Sequence, residues 1–246
     1  MMMTVTAKAF QLWRSRIAPE ATVSDLCRKA DIKRSTLAQQ LVRGKVSVET
    51  VVSIARAYGI PPVEALSEFE GYRDLTDGLI PPTPEEYLSQ VSSMDLLRLI
   101  LGRSEDTDCV GCPVSFQLEP LPHRYSVRAW FDAVDRGELR QALTTRTGIA
   151  PQNLSAQLSA GRLSTQLCVE VARVSGVSLA NGLVVTGLLT PEEADWAGTG
   201  REQVLSGLPD SELILLARDR LDGLGKRLRK QEQDSTRDQT LWENLG

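Results

Sequence analysis

Between positions 33 and 45 stand side chains of the types that recognise base edges and phosphates: Lys33, Arg34, Ser35, Gln39, Arg43 and Lys45. Arg34 can offer two N–H groups to a guanine edge, and the Gln39 amide can pair with adenine. Lys33, Arg43 and Lys45 suit phosphate oxygens, and so does Arg56 further along. Such chemistry needs a rigid face. Leu37 and Leu41, one helical turn apart, define the inward side of a helix over roughly 34–42. At about 100° per residue, Ser35, Gln39 and Arg43 then point outward, with Arg34 reaching forward from the helix start.

The elements that would hold this helix are legible on both sides. Phe10, Trp13 and Ile17 form the apolar stripe of an opening helix that Pro19 ends. Thr22 or Ser24 caps a second helix burying Leu26 and Ala30, and a tight turn through Asp31, Ile32 and Lys33 leads into the third. Gly44 closes that helix. Ser47 caps a fourth carrying Val51, Ala55 and Tyr58, Gly59 ends it, and Pro61-Pro62 opens a short fifth that includes Leu66.

This unit occurs twice. Residues 13–66 align without a gap on residues 130–183. At an offset of 117, Trp13, Leu26, Ile32, Leu37, Gln40, Leu41, Gly44, Ser47, Val52, Ala55, Arg56, Gly59 and Leu66 all meet identical residues. Repetition at domain scale implies two structural copies. The second copy has Gly148 in its turn, begins its third helix at Pro151, and presents Gln152, Asn153, Ala156 and Ser159 outward. Arg162 and Arg173 match Lys45 and Arg56 as phosphate candidates. The base-reading set is therefore Arg34, Ser35, Gln39, Gln152, Asn153 and Ala156. Two heads with unlike side chains should read unlike sequences, so an asymmetric, bipartite site is expected. The duplication continues in Thr83-Pro84-Glu85-Glu86 and Thr190-Pro191-Glu192-Glu193, each followed by an apolar helical stretch.

The run from Leu26 to Gly44, with Val48 to Gly59 after it, resembles the lambda-repressor-like helix-turn-helix family, and in particular the immunity repressors of actinobacterial phages and prophages. The resemblance implies a third helix lying in the major groove and a role in transcriptional repression and lysogeny. Two positions depart from the family pattern: Asp31 stands at the usual turn glycine and Lys33 at the usual serine. Asp tolerates a left-handed turn, so the fold expectation stands.

The chain of 246 residues carries a formal charge of −4, unevenly spread. Residues 1–72 hold 10 Lys/Arg against 7 Asp/Glu, and residues 124–189 hold 7 against 4. Residues 73–123 hold 3 against 9, and residues 190–246 hold 8 against 12. Positive charge follows the two repeats, as a phosphate-facing surface requires. The expected class is all-α: two tandem helix-turn-helix domains of about five short helices each, joined by a partly helical linker. The segments are 1–72, an acidic linker 73–123, a second domain 124–189, and a C-terminal helix with a polar, frayed tail 190–246.

Enzymatic chemistry is not indicated. No glycine-rich phosphate loop follows a strand pattern, and no nucleophile and base stand together. Cys109 and Cys112 have metal-ligand spacing without a second pair, and His123 is the single histidine, so neither a metal nor a cofactor is expected. No segment reads as a signal or membrane span, which points to the bacterial cytoplasm or nucleoid. The expected partner is double-stranded DNA, bound by a monomer. The alternatives are a dimer paired through the second repeat and C-terminal helix, and an antitoxin-type regulator.

Overall fold

A computed structural model describes residues 5–77, 80–105 and 114–245. The described residues form fourteen α-helices and one two-stranded sheet. The protein is all-α apart from that ladder. Two compact units emerge, each discontinuous in sequence: Met1–Gln90 with Pro120–Gly200, and Val91–Glu119 with Arg201–Gly246. Both repeats lie within the first unit. The acidic segment instead divides between the units, its first part folding with the repeats.

In the first repeat, β1 (Val5–Thr6) precedes α1 (Ala7–Ile17), α2 (Val23–Lys29) and α3 (Arg34–Val42). Then follow β2 (Lys45–Val46), α4 (Val48–Ala57) and α5 (Pro62–Ser67). The strands pair antiparallel, Val5 with Val46 and Thr6 with Lys45, a ladder too short for its sequence to announce. Thr22 and Asp25 cap α2 reciprocally, each side chain accepting from the other's backbone N–H. Ser47 Oγ accepts from Thr50 N at 3.2 Å to start α4. The core gathers Phe10, Trp13, Leu26, Leu37, Ile54, Leu66, Phe69 and Tyr72, all buried. Trp13 meets Phe69 edge-on at 5.7 Å. Each such side chain removed from water contributes about 1.5–3 kcal/mol.

After a 3-10 turn at Arg73–Thr76, α6 (Pro84–Ser89) ends the first part of this unit. The chain then passes to α7 (Ser93–Glu105) in the second unit. The second repeat comprises α8 (Ser126–Val134), α9 (Leu139–Thr147), α10 (Pro151–Ser159), α11 (Thr165–Ser175) and α12 (Leu179–Val185). A 3-10 turn, Glu192–Ala194, follows it. Trp130 and Phe131 are fully buried, as are Leu143, Cys168 and Leu183. The helix α6 packs on α8. Its capping residue Glu86 is completely buried and accepts from Trp130 Nε1 at 2.8 Å and from Asn181 Nδ2 at 3.0 Å.

The second unit pairs α7 with α13 (Gly200–Gly207) and α14 (Asp210–Leu245). The buried Arg103 guanidinium donates to the carbonyls of Leu205 (2.8 Å) and Leu208 (2.7 Å) and to Asp210 (2.7 Å). Here the sequence expectation is corrected: the polar segment beyond Gly225 continues α14 rather than fraying. Gly223 and Gly225 each disfavour helix by about 1 kcal/mol. Pairs such as Asp222 with Lys226, four residues apart at 2.7 Å, offset part of that cost. No described helix is long and apolar enough to cross a membrane.

Candidate nucleic-acid interface

The turn between α2 and α3 needs a residue with positive φ, and Asp31 supplies it at 53°. Gly148 does the same at 72° between α9 and α10. Asp31 therefore fills the role that Gly148 performs without steric cost. In both copies the short helix after the turn rests on leucines. Leu37 is fully buried and Leu41 half-buried; Leu154 and Leu158 are both buried.

The opposite faces are open. Arg34, Ser35 and Gln39 are exposed on α3, and Gln152, Asn153, Ala156 and Ser159 on α10. Lys33, Arg43, Lys45 and Arg162 are exposed too, Lys45 on the ladder beside α3. Among the described residues none of these cations, Arg34 included, forms an ion pair. Each copy thus offers polar side chains uncommitted to a protein partner, on a helix whose other side is anchored in the core.

Arg56 and Arg173 have a different occupation. Arg56 Nη2 donates to Leu188 O (2.8 Å), and its guanidinium grips the Glu193 carboxylate with Nε and Nη2, both at 2.7 Å. Arg173 Nη2 donates to Gly71 O (2.9 Å), and its guanidinium grips Asp74 at 2.7 and 2.8 Å. Bidentate pairs of this kind are the stronger sort. They hold Glu193 and Asp74 below the ordinary carboxylate range against opposing desolvation. Nearby, the Tyr72 phenol is pushed up to about 12, chiefly by burial and then by Glu49, with Arg173 opposing. The sequence reading gave both arginines to phosphates; in the structure both guanidiniums join one repeat to the other. Of the partners, Glu193 figures in the sequence reading only as part of the repeated Thr-Pro-Glu-Glu motif, and Gly71, Asp74 and Leu188 do not figure at all. The signal was an arginine kept at the same position of both repeats when its neighbours differ, which a shared interface explains as well as a shared ligand does.

Among the described residues no three His, Cys, Asp or Glu side chains form a group able to hold a metal ion. Cys109 and Cys112 lie outside the described residues. No family model, curated relative or solved structure matches the chain.

Proposed function

We propose that this chain is a sequence-specific DNA-binding transcriptional repressor that reads a bipartite site with two unequal helix-turn-helix heads. One observation carries the reading: the same helix, turn and helix occurs twice, and each copy exposes an uncommitted polar face over buried leucines. On α3, Arg34, Ser35 and Gln39 contact base edges; on α10, Gln152, Asn153 and Ala156 do so. Lys33, Arg43, Lys45 and Arg162 hold phosphates; Arg56 and Arg173 leave that set. No reaction is catalysed. Occupancy of a promoter or transcribed site excludes polymerase, and the resemblance to actinobacterial phage repressors makes immunity and lysogeny the biological setting.

Footprinting on a duplex selected by the intact chain tests this. Protection should fall in two major-groove blocks, one weakened by Arg34→Ala and the other by Gln152→Ala. A single block, indifferent to Gln152, would remove the second head from the reading.

A second reading has unit two pair two copies of the chain. It is favoured by Ile214 (54% exposed), Leu221 (39%) and Leu228 (48%), which recur every seven residues on α14. Light scattering at micromolar concentration separates monomer from dimer.

A further inference from the structure

The contacts between the repeats are reciprocal. Arg56 of the first repeat reaches the carbonyl of Leu188, and Arg173 of the second reaches the carbonyl of Gly71. Arg56 and Arg173 are equivalent at the repeat offset of 117, and Gly71 and Leu188 stand at that same offset just beyond the aligned residues. A second set of contacts behaves alike: α5 touches the turn Glu192–Ala194, and its equivalent α12 touches the turn Arg73–Thr76. The carboxylate partners, Asp74 and Glu193, are not equivalent, since Glu193 repeats Glu86 of the Thr-Pro-Glu-Glu motif, so the reciprocity lies in the arginines and the carbonyls they reach.

Reciprocity fixes the operation. If a patch on one copy meets a second patch on the other, and the reverse contact also exists, applying the relation twice returns the starting copy; that is a twofold. Two heads repeated by translation, like beads on a string, would make one of these contacts and not its mirror. The recognition helices α3 and α10 are bound by the same operation, because each is built into its own repeat.

Resting on the DNA-binding reading above, we infer that this single chain is an internal pseudo-dimer whose two half-sites run in opposite directions at one fixed spacing, as inverted repeats of unlike sequence. The duplex is then asymmetric in bases and twofold in geometry.

Making the heads alike exposes the geometry. The variant Ala150→Lys, Pro151→Arg, Gln152→Ser, Asn153→Thr, Ala156→Gln and Ala160→Arg gives α10 and its two flanking positions the polar outward side chains of α3 and its flanks, all at exposed positions. Presented with a random duplex pool, it should select an inverted repeat. It should bind this about a hundredfold more tightly than a direct repeat of the same half-site, the gain expected from a tethered second head of roughly 10 μM intrinsic Kd. Selection of the direct repeat would overturn the inference and leave DNA reading intact. Failure of the unaltered chain to select any sequence would instead overturn the DNA reading. Should the six-fold variant not fold, the order of base positions relaxed by Arg34→Ala, Gln39→Ala, Gln152→Ala and Ala156→Ser in the unaltered chain decides. A mirrored order across the two halves supports the twofold, and the same order repeated contradicts it.

Discussion

The indole N–H of Trp130 donates to Oε1 of Glu86 at 2.8 Å, and Glu86 has no exposed surface. This bond ties the first turn of α6 to the opening helix of the second repeat. The same carboxyl accepts from Thr83 N at 3.0 Å and from Asn181 Nδ2, and Asn181 in turn accepts from Trp196 Nε1 at 2.8 Å. Low dielectric makes such a network strong when complete and costly when broken.

Glu86→Ala leaves the buried donors of Trp130 and Asn181 and the half-buried Thr83 N–H without their acceptor and should cost about 2–4 kcal/mol of stability. Urea unfolding checks this. A loss under about 0.5 kcal/mol, the range of an ordinary surface change, would show that the network contributes little.

Arg173 and Lys45 should separate by salt. Removing a phosphate contact lowers the slope of log K against log salt by about one. Lys45→Ala should do so at unchanged stability. Arg173→Ala should leave the slope alone and lower the unfolding midpoint, since its side chain is only 18% exposed and engaged by Asp74 and Glu170. A lower slope for Arg173→Ala would return it to the phosphate set.

Acid should loosen the joined repeats. The hydrogen bond from Arg56 depresses the Glu193 carboxyl and that from Arg173 depresses Asp74. A carboxylate depressed on folding stabilises fully above its unfolded value and loses that contribution as pH falls through the folded one. Thermal midpoints should therefore drop as pH falls below about 4.5 for Glu193 and 3.8 for Asp74, their ordinary values. In Glu193→Gln the drop should be smaller, and an identical acid profile for that variant would exclude the pair as its source.

At Gly182, α12 lies close against the backbone of α11. A Cβ there would stand 2.6 Å from the Cys168 carbonyl oxygen, a backbone atom with no freedom to yield. Gly182→Ala should destabilise by about 1–3 kcal/mol through overpacking. An unaltered midpoint would mean that the two helices part easily.

Much of the geometry of the candidate site is legible in the sequence because it is local. Helix α3 begins and ends where Leu37, Leu41 and Gly44 place it, and the exposed polar face follows from the same periodicity. The left-handed turn at Asp31 was readable because few residues tolerate it. What escaped was long-range. Arg56 meets Glu193 across 137 positions, and nothing near Arg56 distinguishes a phosphate ligand from an interface anchor. The burial of Glu86 escaped for the same reason, since its partners Trp130 and Asn181 lie 44 and 95 residues away. Composition misjudged the end of α14, where glycines and polar residues read as tail although charge pairs one turn apart accompany a continuous helix.

The central claim is that both copies read DNA together, and selection from a random duplex pool tests it most directly when the intact chain is compared with Gln39→Ala and Gln152→Ala. The account predicts one bipartite site with two dissimilar halves. Gln39→Ala should relax a base position in one half, at a cost of about 1–3 kcal/mol, and Gln152→Ala a position in the other. A site of one block, or a Gln152→Ala profile identical to that of the unaltered chain, would contradict it.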